Sequence, residues 1–221
     1  TVPDNITRQN ARDMAAAWGI NLPPRIADWL AGEAGLAPHP SDPIFAGQQS
    51  RVIASARMSL EAAAARADKL GIPAVILSDS MEGEARDVGR VHAAITREVA
   101  LRGRPFARPT AILSGGETTV TLRGKGRGGR NTEFLLALAL AAEGVPFTAL
   151  AADTDGIDGS EDNAGAFTDG GAMARLRGLG RDPAALLAAN DAWGAFDALG
   201  DLFVTGPTGT NVNDFRAILI K

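Results

Sequence analysis

The chain has 221 residues and a formal net charge of −4, with 45% hydrophobic and 22% charged residues, which is the balance of an ordinary folded protein. It has no cysteine, which excludes disulfides and thiolate metal sites, and no apolar run approaches the ~20 residues of a membrane span. The composition therefore predicts a cytoplasmic protein with a substantial core, no membrane segment and no general nucleic-acid surface.

The chain begins with two predicted helices, over residues 5–20 and 23–32, followed by a linker over residues 35–49. Asn5 or Thr7 is the expected N-cap of the first helix. Because the sequence opens without an initiator methionine, on a turn-like segment, we expect it to come from the interior of a longer chain.

The middle of the chain alternates short apolar strands with helices, which predicts a parallel α/β arrangement. The strands are expected at residues 51–55, 74–78 and 110–114, with a Gly-Glu turn after the second of them. A turn in the segment SGGE predicts a hairpin into a further strand over residues 118–123, so at least one strand is expected to be antiparallel. The predicted fold class is α/β, a layered α/β/α protein with a mixed, mostly parallel sheet.

The last part of the chain continues with a predicted helix at residues 132–143 and a strand at 147–152, and it ends with strands at 201–206 and 216–220. Three polar, glycine-bearing loops follow predicted strands: SGGETT, DTDGIDGSEDNAG and TGPTGTNVND. Ligands of α/β sheets bind at the carboxyl ends of strands, so these loops are expected to share one rim.

A basic loop, RGKGRGGRN, precedes the helix at 132–143 and holds four cations and four glycines in nine residues. Helix N-terminal N–H groups and guanidinium groups both favour an anion, so a phosphate cradle is one interpretation. A second is a dinucleotide site, because Gly124, Gly126 and Gly129 form a G-x-G-x-x-G pattern with Asp153 after the next strand. A solvated loop is the third, whereas RNA binding is disfavoured because the chain is acidic and has no tyrosine.

Clustered carboxylates in the acidic loop either hold Mg²⁺ or cap turns. Asp153 and Asp155, nearest the strand end, are the metal candidates, while Asp158 is as well explained as a turn former. An EF-hand is excluded because Ile157 and Ala164 stand where oxygen ligands are required. The chain has two histidines, and both have structural interpretations, His39 in a surface loop and His92 on a helix.

Four long segments stand in one order along the chain: MEGEARDVGRVHAAI, SGGETTVTLRGKGRGGRNTEFLLALAL, ALAADTDGIDGSEDNAGA and NDAWGAFDALGDLFVTGPTGTNVNDFRAILI. They resemble the C-terminal half of the class II glycerate kinases, the family with the MOFRL domain, whose members also bear the provisional name hydroxypyruvate reductase of tartrate degradation. The resemblance implies that residues 1–105 are the end of a Rossmann-like first domain and that residues 106–221 are the MOFRL domain.

The activity that the resemblance implies is phosphorylation of D-glycerate by ATP, with Mg²⁺, to give 2-phosphoglycerate. Most of the first domain, with a lysine assigned to catalysis in the family, lies outside this sequence, so the chain alone is expected to be inactive. Two alternatives stay open: an NAD(P)H-dependent hydroxypyruvate reductase and a non-catalytic ligand-binding module. Whether the protein forms a homo-oligomer is also open.

The site residues follow from the loops and from the resemblance together. Arg130 is the expected catalytic residue, because phosphoryl transfer depends mainly on positioning and charge stabilisation. Asp153 and Asp155 are the expected Mg²⁺ ligands. The expected phosphate-binding residues are Ser114, Gly115, Gly116, Glu117, Thr118, Thr119, Lys125, Arg127, Gly128, Gly129 and Asn131. The expected residues of the substrate cleft are Thr205, Gly206, Thr208, Asn211, Asn213 and Asp214.

Overall fold

The structure, a computed structural model, describes residues 3–32, 35 and 37–221, so residues 1, 2, 33 and 34, and residue 36 of the predicted linker, lie outside it. The chain divides into two compact units, and the boundary between them follows Val52. The smaller unit contains helices α1 (Arg8–Ala17) and α2 (Pro24–Ala31) and one 3-10 turn (Pro43–Phe45). Thr7 is confirmed as the N-cap of α1, since its hydroxyl oxygen accepts from the N–H of the third helical residue.

The larger unit is built on one six-stranded sheet with helices on both faces. Its elements in chain order are α3 (Ala56–Lys69), β1 (Ala74–Glu84), α4 (Ala85–Arg102), β2 (Thr110–Thr119), α5 (Arg130–Ala141), β3 (Thr148–Asp153), β4 (Gly165–Asp169), α6 (Ala172–Gly178), α7 (Pro183–Ala188), α8 (Ala192–Leu199), β5 (Leu202–Phe203) and β6 (Asp214–Ile220).

The strand order is β1-β2-β6-β3-β4-β5, and only the β1–β2 pair is parallel. The predicted mixed α/β sheet is confirmed, but the prediction that it is mostly parallel is wrong. The last strand, β6, inserts between β2 and β3 and runs antiparallel to both. Strand order depends on long-range pairing, which the alternation of helices and strands along the chain does not specify.

The predicted α/β/α layering is confirmed by the side chains of β2. The Ser114 hydroxyl lies 3.0 Å from Nε2 of His92 in α4, whereas a Cβ on the next residue, Gly115, would lie 3.3 Å from Leu60 in α3. Successive residues of a strand point to opposite faces, so α3 and α4 cover opposite sides of the sheet. Helix α5 packs beside α4 and is buried nearly all round, as its apolar sequence FLLALALAA requires. Within the described residues, no helix has both the length and the apolarity of a membrane span.

Two predicted turns prove to be strand. The segments SGGE and MEGE lie inside β2 and β1. These two strands pair in parallel as far as Gly83–Thr118 and Glu84–Thr119. Gly116 has a φ of +122°, and a Cβ there would lie 2.2 Å from the backbone of Met81, where β1 bulges toward β2. The glycine pair therefore permits a close strand contact, and no hairpin forms.

Other boundaries also differ from the prediction. Residues 51–55 form no strand, and Ile53 is 81% exposed, so this apolar run joins no sheet. The segment after Thr119 leaves the sheet, while β4 was not predicted at all. The domain boundary expected near residue 105 stays a prediction; β1 and β2, on either side of it, belong to one sheet.

Candidate active site

A cleft of about 700 Å³ opens at the carboxyl ends of the only parallel strand pair in the described sheet. The ends of β1 and β2 form one wall, and the end of the basic loop with the first residue of α5 forms another. This is the position at which α/β sheets commonly bind ligands. The residues that line the cleft are Glu82, Gly83, Glu117, Thr118, Thr119, Val120, Leu122, Gly128, Gly129, Arg130 and Gly159.

Arg130, at the start of α5, lies between two carboxylates. Its Nε donates to Oδ1 of Asp214 at 2.7 Å, and its Nη2 donates to Oδ2 of Asp153 at 2.5 Å. Its Nη1 lies 3.7 Å from the more exposed carboxylate of Glu117. The side chain is 25% exposed, so the guanidinium is bound by the buried carboxylates of Asp214 and Asp153 and still reaches the cleft. A planar, permanently charged group held in this way is suited to bind an anionic oxygen.

Asp214 opens β6 and is fully buried. Besides Arg130, its carboxylate accepts from Nδ2 of Asn131 at 2.8 Å and from Nη2 of Arg216 at 2.5 Å. The backbone N–H and the hydroxyl of Thr118 lie 3.3 and 3.4 Å from it. Burial lowers the pKa of Arg216, while the charge of Asp214 acts in the opposite direction.

Asp153 ends β3 with its carboxylate almost fully buried. Burial raises the pKa of Asp153 to about 6, although the N–H of Asp155 and the charge of Arg130 oppose this shift. The Asp155 carboxylate accepts from the N–H of Ile157 at 2.9 Å and from Nδ2 of Asn211 at 3.1 Å. Both candidate metal ligands thus have protein partners, and the described residues contain no group of three acidic or histidine side chains placed for a metal ion.

The side chain of Asp158 caps the N-terminus of α5. The buried carboxylate of Asp158 accepts from the N–H of Asn131 at 2.9 Å and from the N–H and hydroxyl of Thr132 at 2.8 Å each. Burial raises the pKa of Asp158, and these hydrogen bonds lower it. The capping role that was one interpretation of Asp158 is what the structure shows. The N–H of Asn131, one of the groups expected to bind phosphate, is therefore already occupied.

The three glycines of the G-x-G-x-x-G pattern pack against the chain itself. A Cβ on Gly124 would lie 2.2 Å from the carbonyl oxygen of Ala189, one on Gly126 would lie 2.5 Å from Asp191, and one on Gly129 would lie 2.4 Å from Asp158. The residues before Gly124 form no strand. A dinucleotide fingerprint needs a strand directly before the first glycine, and no strand stands there.

The rest of the basic loop is fixed by contacts with the segment between α7 and α8. The side-chain oxygen of Asn190 accepts from the N–H groups of Arg123 and Gly124 at 2.7 and 3.0 Å. Its Nδ2 donates to Glu133 at 2.8 Å, and Glu133 is also paired with Arg86 at 2.8 Å. This buried network determines the path of the loop toward the cleft.

The exposed cations of the loop have different surroundings. The guanidinium of Arg127 stacks 3.7 Å from the ring centre of Trp193 and lies 3.6 Å from Glu161. Lys125 is exposed. Neither side chain lines the cleft.

A profile of the MOFRL family matches residues 110–214. Residues 110–214 form a MOFRL family domain. The chain is 48% identical to an Agrobacterium vitis protein provisionally named hydroxypyruvate reductase, over 100% of this chain and 57% of that protein. It is 37% identical to a D-glycerate 2-kinase of Thermotoga maritima, over 99% of this chain and 51% of that protein.

A solved structure of a glycerate kinase from Thermotoga maritima matches with a TM-score of 0.85 at 35% identity, covering 99% of this chain and 51% of that one. The resemblance to glycerate kinases inferred from the sequence motifs is confirmed. The chain spans about half the length of the curated relatives it matches.

The MOFRL domain brings six of the twenty predicted site residues to the lining of the cleft. The cleft contains Arg130 and, from the predicted phosphate set, Glu117, Thr118, Thr119, Gly128 and Gly129. Of the rest of that set, Ser114 is buried against His92, Gly115 and Gly116 lie inside the sheet, and Asn131 is buried under Asp214.

The loop predicted for the substrate cleft binds mainly to the acidic loop of the MOFRL domain. The hydroxyl of Thr208 donates to the carbonyl of Thr154 at 2.5 Å, and the carbonyl of Asn213 accepts from the N–H and hydroxyl of Thr154. Asn211 holds Asp155, and Thr205 and Thr208 line a second, smaller depression beside Asp153. Gly206 packs its carbonyl oxygen against Gly156. In this loop, only Asp214 contacts Arg130.

Several residues of the site were missed at the sequence level: Arg86, Glu133, Asn190, Asp191 and Arg216. Each of them lies far along the chain from most of its partners or has no distinctive motif, so one sequence offers little signal for it. Arg216 had the strongest signal, because it is a charged residue directly before the apolar run AILI.

Proposed function

We propose that this chain supplies one side of the active site of a glycerate 2-kinase. The reaction transfers the γ-phosphoryl group of ATP to a hydroxyl of D-glycerate and releases ADP and 2-phosphoglycerate. The named kinase relatives support this proposal, and their length supports the further proposal that the chain acts as part of a longer protein. The cytoplasmic location expected from the composition stays a prediction.

The observation that carries the proposal is the position of Arg130 at the cleft, held by two carboxylates. Phosphoryl transfer spreads negative charge over the oxygens of the transferred group, and a preorganised cation stabilises that charge. Arg130 would bind these oxygens, and the hydroxyl groups of Thr118 and Thr119 together with the backbone of Gly128 and Gly129 would border the phosphate chain. Lys125 and Arg127 lie outside the cleft and would act on an anion only at longer range.

Mg²⁺ fits the described residues poorly. Asp153 is bound to Arg130, Asp155 is bound to Asn211, and a third ligand is missing from the described residues. Mg²⁺ in kinases is often held by one or two carboxylates together with the substrate phosphates, so it would accompany ATP. Binding of Mg²⁺ by Asp153 and Asp155 remains a prediction.

The reductase alternative is weaker. A Cβ at each glycine that suggested a dinucleotide site would clash with Ala189, Asp191 or Asp158, so packing within the chain already accounts for these glycines. The relative with the reductase name bears that name only provisionally. The ligand-binding alternative predicts nucleotide binding without turnover.

An ADP-release assay with D-glycerate and MgATP tests the proposal, applied to the 221-residue chain and to the longer protein. We expect the longer protein to release ADP and the 221-residue chain to be inactive, because alignment of two substrates requires both walls of a cleft. Phosphorus NMR identifies the product as 2-phosphoglycerate. Oxidation of NADH or NADPH by hydroxypyruvate without ADP release would establish the reductase instead, and MgATP binding without turnover would establish the ligand-binding module.

A further inference from the structure

Asp214 is the most heavily bonded carboxylate of the site, yet it does not line the cleft. Its side chain is 0% exposed and accepts hydrogen bonds from Arg130, Asn131, Thr118 and Arg216. A substrate in the cleft would meet Arg130 and would not touch Asp214. The role of Asp214 is therefore separate from substrate contact.

The backbone of Asp214 is fixed on two sides. In the sheet it stands opposite Gly116 of β2 and Asp153 of β3, because β6 lies between these strands. Oδ1 receives both Nε of Arg130 and Nδ2 of Asn131, the first two residues of α5. Asp214 thus joins the first turn of α5 to the centre of the sheet, and the plane of the Arg130 guanidinium is set by this junction.

Arg216 supplies the charge that this arrangement needs. Arg130 alone between Asp153 and Asp214 would leave one net negative charge, which would repel a phosphate. The fully buried guanidinium of Arg216 donates to Oδ2 of Asp214, whereas Arg130 donates to Oδ1. With Arg216 included, the four ionised groups sum to zero. Glu117, at 3.7 Å from Arg130, is 58% exposed and its charge is screened by water.

We propose that Asp214 and Arg216 form a buried pair that positions Arg130: Asp214 fixes the orientation of the Arg130 guanidinium, and Arg216 offsets the negative charge of Asp214. This role rests on the proposed kinase function as far as turnover is concerned. The geometric part concerns the 221-residue chain itself and can be tested without any activity.

The first experiment follows the Nε–H proton of Arg130 by NMR in the 221-residue chain, with the resonance assigned by its loss in Arg130→Lys. We expect this proton to exchange with water much more slowly than that of Arg90, whose side chain is exposed. The protection should disappear in the double variant Asp214→Asn/Arg216→Met. That variant removes both buried charges together, because removal of Asp214 alone would leave Arg216 unpaired. Rapid exchange in the wild-type chain would overturn the proposal.

The second experiment is a double-mutant cycle in the longer protein, measured as kcat and KM. Asp169→Asn is the matched control, since Asp169 forms an exposed ion pair with Arg175. We expect the double variant to lower kcat by about tenfold or more with little change in KM. In an Arg130→Met background the same two substitutions should cause no further loss, because a residue that acts through Arg130 has nothing left to position.

Equal losses of kcat in both backgrounds would show a structural effect that is independent of Arg130, and an unchanged kcat would also contradict the proposal. If the wild-type protein releases no ADP, the proposed function fails, while the NMR result still decides whether Asp214 and Arg216 hold Arg130. If the double variant does not fold, exchange in the wild-type chain decides the geometric part.

Discussion

Stability of the larger unit should depend on pH through His92. The imidazole is 2% exposed, its Nδ1–H donates to the carbonyl of Val88 at 2.9 Å, and its Nε2 accepts from the hydroxyl of Ser114 at 3.0 Å. Phe134 meets the ring edge-on at 5.0 Å. Burial lowers the pKa of His92 to about 4, the hydrogen bond to Val88 opposes this, and the charge of Arg216 adds to it.

The sign of the effect follows from the two states of the chain. In the unfolded chain His92 takes up a proton near the ordinary pKa of 6.5, whereas in the folded chain it stays neutral until about pH 4. Between these values the unfolded state binds more protons, so acidification favours unfolding. Each pH unit in this window is worth about 1.4 kcal/mol, which gives a loss of about 3 kcal/mol in the free energy of unfolding by pH 4.

Urea unfolding of the 221-residue chain at several pH values, followed by circular dichroism, measures this loss. The variant His92→Gln removes the titrating group, so its stability deficit relative to wild type should shrink by about 3 kcal/mol between pH 7 and pH 4. His39→Gln is the matched control, because the side chain of His39 is exposed. NMR titration of the two imidazoles gives the pKa values directly, and a pKa near 6.5 for His92 would refute the reasoning.

Three further predictions concern the cleft and the basic loop. Arg130→Lys in the longer protein should lower turnover about 10²-fold with little change in melting temperature, because lysine keeps the charge but loses the planar fork; wild-type turnover would remove Arg130 from the mechanism. MgATP should raise the melting temperature of the chain more than NADH or NADPH does, and the reverse order without Mg²⁺ dependence would favour the reductase. Gly124→Ala should destabilise the chain by roughly 1–3 kcal/mol or more in urea unfolding, because its Cβ would lie 2.2 Å from the Ala189 carbonyl oxygen. Gly178→Ala is the control, because an added Cβ at this helix position would meet no atom within 4 Å beyond its chain neighbours and its own helix. Equal stability of the two variants would contradict the packing argument.

The sequence by itself determined the elements that depend on local physics. The Thr7 cap of α1, the apolar helix α5 and the strands β3 and β6 follow from capping chemistry and from the period of apolar residues. The motifs also showed the resemblance to glycerate kinases and placed Arg130 in a loop that leads into a helix. These signals are contained within short windows of the chain, so no knowledge of distant contacts was needed.

Only the tertiary structure decided which distant groups meet. A glycine indicates that another group lies close to its Cα. The G-x-G-x-x-G pattern does not say whether that group is a pyrophosphate or, as here, the backbone at Ala189 and Asp191. Insertion of β6 between β2 and β3 made the sheet mainly antiparallel and brought Asp214 to Arg130, 84 residues earlier in the chain. Partners at such separation meet because strand order and helix packing bring them together, and no local window of sequence contains that information.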